Sequence, residues 1–221
     1  MKAMILAAGR GERMGALTAE RPKPLIEVAG QSLISRHLSR LHDAGISEVV
    51  INLSYLGNQI REALGEISDW GQRLQYSEEG EPALETAGGI VAALPLLGAD
   101  PFLVVSADIY TDLDFSALAS IDADGVLMLV PNPAHHAAGD FGLTGDSIVS
   151  LQPPRLTYGG VAKMAPSLFD GLPSGRRALR PVLEAAIRRR ALKGLRYNGI
   201  WSDVGTPARL AELEHRLGGT D

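Results

Sequence analysis

Gly9, Gly11, Arg13 and Lys23 sit close together behind a short apolar run in MKAMILAAGRGERMGALTAERPKPLIEV. Glycine lacks a Cβ, so backbone N–H groups there can turn toward an anion. Guanidinium and ammonium groups beside them supply the neutralising charge. That combination suits phosphate. Pro22 and Pro24 flank Lys23 and stiffen its backbone, which lowers the entropy lost in aiming it. Two familiar phosphate loops do not fit. The P-loop pattern GxxxxGK[ST] is absent. A dinucleotide fingerprint, GxGxxG, finds Gly9 and Gly11 but meets Met14 at its third glycine. Asn52 also stands where an acidic residue should end the second strand. A redox cofactor is therefore disfavoured. Further along, Asp108 follows the apolar run Pro101–Val105, where it reads either as a turn residue or as a carboxylate facing a ligand. His135 and His136 are adjacent within Pro131–Ala138, the least regular stretch. Neighbours in an extended loop point opposite ways and no cysteine or third histidine is near, so no transition-metal site is expected.

Positioning such a loop requires a rigid sheet. Strands are predicted at Ala3–Leu6, Glu48–Asn52, Leu74–Ser77 and Pro101–Val105. Helices are predicted at Ser32–Ala44, Leu56–Leu64 and Thr86–Leu94, the last ending before Pro95. This alternation means a parallel sheet with helices on both faces. Beyond Gly125 come shorter strands at Val126–Val130, Phe141–Leu143, Ile148–Leu151, Leu156–Lys163 and Leu195–Tyr197. Helices at Leu179–Arg190 and Pro207–Leu217 accompany them. They predict an extension of the same sheet. The expected fold is α/β: a Rossmann-like mixed, mostly parallel central sheet with flanking helices, in one domain over residues 1–221.

Composition narrows the function. The formal net charge of −5 disfavours generic nucleic-acid binding, but a small anionic ligand responds to local charge. There are no cysteines, so disulfides and thiolate metal sites are excluded and a reducing, cytoplasmic setting is expected. No stretch reaches the roughly 18 apolar residues of a membrane helix. The opening also lacks a secretory-signal pattern, so no membrane partner is expected.

Five motifs then fall in order along nearly the whole chain. They are Leu6-Ala7-Ala8-Gly9-Arg10-Gly11-Glu12-Arg13, Pro22-Lys23-Pro24-Leu25, Glu85-Thr86-Ala87-Gly88-Gly89, Ser106-Ala107-Asp108, and Trp201-Ser202-Asp203-Val204-Gly205-Thr206. On these the sequence resembles the sugar-1-phosphate nucleotidyltransferase family. Further likeness, through Glu78-Glu79-Gly80-Glu81-Pro82, Asn132-Pro133 with His135-His136, and Gly139-Asp140-Phe141, is to the branch using UTP and N-acetylmuramate 1-phosphate in peptidoglycan recycling. The chain stops soon after the Trp201 motif, so no β-helix domain is expected.

The resemblance implies Mg²⁺-dependent transfer of a nucleotidyl group from a nucleoside triphosphate to a sugar-1-phosphate, with pyrophosphate leaving. The attacking phosphate is already an anion and needs no general base. The task is positioning and charge neutralisation. By the resemblance, Arg13 holds the departing phosphates and Lys23 bridges the α-phosphate and the incoming one. Ala7, Ala8, Gly9, Gly11, Glu12, Glu78 and Ala83 hold the nucleotide, with Glu78 accepting the N3–H of uracil. Asp108 and Asp203 take Mg²⁺. Gly88, Gly89, Ser106, Asp140 and Gly160 meet the acceptor.

Alternatives stay open. A carboxylate at position 78 suits guanine as well as uracil. Ser106-Ala107-Asp108 replaces the branch's Asn-Gly-Asp, which keeps a cytidylyltransferase for a phosphoalcohol such as phosphocholine in play. Hexose-1-phosphate guanylyl or thymidylyl transfer is another alternative. Leu151-Gln152-Pro153-Pro154 stands where hexose-phosphate thymidylyltransferases carry Glu-Lys-Pro, leaving Arg155, Lys163 and Arg177 as candidate cations for the acceptor. A non-catalytic binding module is disfavoured, because binding alone does not need Arg13, Lys23, Asp108 and Asp203 together. A monomer or small homo-oligomer is expected.

Overall fold

The structure, a computed structural model, describes residues 1–218. β1 (Ala3–Leu6) is apolar throughout because Ala3, Met4 and Ile5 are covered from both sides. Two 3₁₀ segments, Glu12–Thr18 and Lys23–Leu25, carry the chain to a small hairpin of β2 (Glu27–Val28) and β3 (Gln31–Ser32). Ser32 caps α1 (Leu33–Asp43), its hydroxyl accepting the Ser35 N–H at 3.3 Å. β4 (Glu48–Leu53), α2 (Gly57–Leu64), β5 (Arg73–Glu78), α3 (Glu85–Leu97) and β6 (Phe102–Ser106) follow. Strands β5, β4, β1 and β6 lie side by side and parallel, with Leu6 of β1 opposite Asn52 on one flank and Ser106 on the other.

The second half completes the sheet. β7 (Ile109–Thr111) and α4 (Phe115–Ala119) precede β8 (Gly125–Val130), β9 (Phe141–Leu143), β10 (Val149–Ser150) and β11 (Arg155–Met164). β11 runs antiparallel to β6, β8 and β9 and so ties the extension to the parallel half. α5 (Leu179–Arg188) returns to β12 (Leu192–Arg196), which is parallel to β8. β13 (Trp201–Asp203) pairs antiparallel with β7, and α6 (Pro207–Gly218) closes the described chain.

Strand alternation splits the core into two layers. Ala3 and Ile5 pack with Ile34, Leu38 and Leu41 of α1, Ile60 of α2 and Phe115 of α4. Met4 and Val50 pack on the other face with Ile90 of α3 and Leu183 of α5. One boundary differs from the sequence expectation. α3 continues through Pro95 to Leu97, because burial of Leu97 outweighs the one hydrogen bond that proline removes. Among the described residues, no helix is long and apolar enough to cross a membrane.

His37 of α1 is buried beneath the strand leaving the site. Its Nε2–H donates to the Ile109 carbonyl at 3.0 Å, and Nδ1 has no partner. Burial lowers its pKa from 6.5 to about 4, against the opposing pull of the Ile109 hydrogen bond and the Asp108 charge; the Arg40 charge adds to the lowering. The unfolded chain therefore takes up a proton that the folded chain refuses. His37's stabilisation is complete above pH 6.5 and is lost as pH falls from 6.5 toward 4. At about 1.4 kcal/mol per pH unit this amounts to at most roughly 3 kcal/mol. Urea unfolding at stepped pH should give a shallower acid slope for His37→Leu than for the wild type. Parallel slopes would remove His37 from the account.

Candidate active site

A cleft of about 990 Å³ opens at the carboxyl ends of β1, β4 and β6. There the chain order turns back across β1, the usual place for a ligand in an open α/β sheet. Ala7, Ala8, Gly9, Gly11, Glu12 and Arg13 line it, as do Lys23, Ala83, Ser106 and Asp108. Gly11 has a φ of +67°, and a Cβ there would lie 3.1 Å from Thr18 Cγ2 and 3.2 Å from Lys23 Cβ. Glycine is thus required both by conformation and by the close passage of Lys23. The Gly11 carbonyl accepts from Met14 N at 2.9 Å and from the Thr18 hydroxyl at 2.9 Å, which fixes the loop.

Lys23 donates to Asp108 Oδ2 at 2.8 Å. Its side chain is 7% exposed and that of Asp108 is 44% exposed. The ammonium is enclosed and the carboxylate faces the cleft.

A hydrogen-bonded clamp joins three walls of the cleft. Asn52, the polar residue near the end of apolar β4, accepts the Ala7 N–H at 2.7 Å and donates to Glu79 Oε1. Glu79 Oε2 accepts the Leu84 N–H at 2.7 Å. Glu79 lines the cleft, and Glu78 does not. This corrects the placement expected for Glu78. Leu74, Tyr76 and Glu78 share one face of β5, the face toward α2, where the Glu78 carboxylate pairs with Arg61. Its neighbour Glu79 is turned to the opposite side by strand alternation.

Asp203 is brought near Asp108 by strand pairing. It lies opposite Ile109, and the Val204 N–H donates to the Asp108 carbonyl at 2.9 Å. Its carboxylate does not line the cleft. Oδ2 pairs with Arg209 of α6 and lies 3.2 Å from His135 Nε2. Arg209 Nη1 is 2.8 Å from the same His135 nitrogen. Sequence reasoning placed the two histidines in an extended loop. They occupy a single 3₁₀ turn, Ala134–His136, with His136 paired to Asp140 at 3.2 Å. Gly205 lines the cleft between two guanidiniums: a Cβ there would lie 2.6 Å from Arg209 Nη2 and 3.3 Å from Arg13 Nη2.

The expected acceptor contacts divide. Ser106 faces the cleft. Gly160 does not line it but backs Ser106, with φ +77° and a Cβ that would be 3.0 Å from Ser106 Oγ. Gly88 and Gly89 do not line the cleft; they are buried in α3 and serve packing. A Cβ on Gly88 would meet the Gly175 carbonyl at 2.4 Å, and one on Gly89 would meet Glu79 Oε1 at 2.2 Å. Asp140 also lies off the cleft, accepting the Tyr158 N–H at 2.9 Å beside Arg180. The candidate acceptor cations are engaged elsewhere. Arg155 donates to the Leu151 carbonyl, and Lys163 is buried against the Ala119 and Ile121 carbonyls. Arg177 does not reach the cleft, but its neighbour Arg176 does. Nothing in the local sequence distinguishes the two arginines.

A glycine loop, an enclosed lysine and a facing aspartate at a parallel sheet's carboxyl end define an enzyme of nucleotidyl transfer. Residues 2–144 match the Nucleotidyl transferase family, and the chain belongs to it. The chain is 49% identical to the N-acetylmuramate alpha-1-phosphate uridylyltransferase of Neisseria meningitidis serogroup B, over 99% of each protein. It is 34% identical to the protein of that name from Caulobacter vibrioides, over 97% of this chain and 96% of that one. In fold it is similar to HddC from Yersinia pseudotuberculosis, solved with GMP-PN, with a TM-score of 0.79. That match has 21% identity and covers 98% and 99% of the two chains.

Proposed function

We propose that this enzyme transfers UMP from UTP to N-acetylmuramate α-1-phosphate and releases pyrophosphate. The observation that carries the reading is the identity to two such uridylyltransferases along the whole chain, with Gly11, Arg13, Lys23 and Asp108 gathered in one cleft. Gly9 and Gly11 present backbone N–H groups to the triphosphate, and Arg13 takes its leaving end. Lys23 neutralises the α-phosphate and the incoming phosphate, which lowers the repulsion between two anions. Ala7 and Ala8 leave room for the base, and Glu79 rather than Glu78 lines the cleft.

Members of this family commonly use a divalent metal. Among the described residues, no group of three or more His, Cys, Asp and Glu residues could hold a metal. Mg²⁺ does not need one, since it takes one or two carboxylates and completes its shell with phosphate and water. Asp108 opens to the cleft, and Asp203 is carried beside it on the paired strand, an all-oxygen set that suits this ion. In this reading the two aspartates hold Mg²⁺, with Asp203 released from Arg209. When bound, the ion screens the phosphates and polarises the α-phosphorus.

Pyrophosphate release from purified enzyme, across ATP, GTP, CTP and UTP with a panel of sugar-1-phosphates and phosphocholine, tests this directly. UTP with N-acetylmuramate α-1-phosphate is expected to be the best pair. Preference for CTP with phosphocholine would overturn the reading.

A further inference from the structure

Arg10, Arg13, Lys23 and Arg176 are the cations that line the cleft. Lys23 is held by Asp108, and Arg10 reaches over the mouth to Glu81 at 3.1 Å. Arg13 stands beside Gly205. These three belong to the phosphate loops at the end of β1. Arg176 comes from a different element, the loop before α5, and the transfer chemistry above does not use it.

That loop is fastened to the start of α3 by its backbone. Arg177 N donates to the Leu84 carbonyl at 2.8 Å, and the Arg177 carbonyl accepts from Ala87 N at 3.0 Å and Gly88 N at 3.1 Å. The position of Arg176 is therefore set without its side chain. The side chain is 64% exposed, and its Nε forms an ion pair with Glu85 Oε1 at 2.8 Å. Glu85 itself is held at φ +60°, a conformation uncommon for glutamate. The contact uses Nε, so the terminal pair of N–H groups is left as a fork. Such a fork matches a carboxylate in bidentate geometry. Glu79 and Glu81 line the cleft as well, with Glu81 already paired to Arg10.

We propose that Arg176 binds a second negative charge on the acceptor, a carboxylate carried on the sugar, and makes the site selective for an acidic sugar-1-phosphate. This rests on the acceptor reading above. N-Acetylmuramate 1-phosphate is N-acetylglucosamine 1-phosphate with a lactyl ether on O3. The two share the ring, the acetamido group and the phosphate, and differ by one carboxylate. Lys23 answers the shared phosphate, and Arg176 answers the carboxylate that only one of them has. Glu85 orients the guanidinium from behind.

The test is steady-state pyrophosphate release at saturating UTP with each of these two acceptors, for the wild type, Arg176→Ala and Arg176→Lys. The ratio of kcat/KM for the acidic over the neutral sugar is expected to fall about 10- to 100-fold in Arg176→Ala, mainly through KM for the acidic one. Arg176→Lys should recover part of it, as a point charge without the fork. An unchanged ratio in Arg176→Ala overturns the assignment. An equal loss with both acceptors also overturns it, because it places Arg176 on the shared phosphate. A wild type with no preference for the acidic sugar overturns the acceptor reading itself, before any variant is compared.

Discussion

Lys23→Ala is expected to lower kcat by about 10²–10³, the size measured when a preorganised charge or donor is removed from a developing anion. The nucleotide should bind with a smaller change in affinity. Lys23 is almost enclosed, with its ammonium 2.8 Å from the Asp108 carboxylate. It is rigid before substrate arrives, so little reorganisation is needed as charge builds on the reacting phosphates. Pro22, Pro24 and the passage of its Cβ against Gly11 hold the backbone that aims it. Replacement by alanine removes the charge and leaves Asp108 without its cation. Asp108→Asn should abolish turnover through the same pair from the other side. Steady-state and single-turnover kinetics separate the outcomes. A rise in KM for UTP with kcat unchanged in Lys23→Ala would mean that Lys23 serves binding alone, and the charge-neutralisation account would fail.

Two adjacent glutamates should behave very differently. Glu79→Ala is expected to destabilise the protein by about 3 kcal/mol, since hydrogen bonds to a charged group contribute about 1.5–3 kcal/mol each. The variant loses the contacts to Asn52 Nδ2 and Leu84 N. Asn52 then no longer orients the Ala7 N–H at the floor of the cleft, and KM for UTP should rise about tenfold or more. Glu78→Ala should change stability by less than about 0.5 kcal/mol, because its partner Arg61 is on an exposed surface. Its KM for UTP should stay near the wild-type value. Urea midpoints and initial rates measure both. If Glu78→Ala were the variant that lost UTP, the base would be read from the α2 side of the sheet, and the clamp through Glu79 would be structural only.

The phosphate loop was legible in the sequence because its chemistry is local. Gly9, Gly11, Arg13 and Lys23 are close along the chain, and the turn residues around them act over a few residues. The parallel half of the sheet was legible for a similar reason, since period-2 and period-3.6 patterns are written over short windows. The passage of α3 through Pro95 was not legible, because propensity acts locally, whereas burial of Leu97 does not. Which of Glu78 and Glu79 faces the cleft turned on the side of β5 that packs against α2. Which of Arg176 and Arg177 enters it turned on a backbone link between residues about ninety positions apart, Arg177 and Leu84. The meeting of Asp203 with His135, 68 residues earlier, likewise depended on long-range packing. By itself the sequence determined the chemistry available, phosphate bound by glycine, lysine and arginine with carboxylates at hand. Only the tertiary structure decided which carboxylates and which arginine face one another, because side-chain direction is set by strand parity and long-range packing, and neighbouring residues of the same type carry no local mark of either.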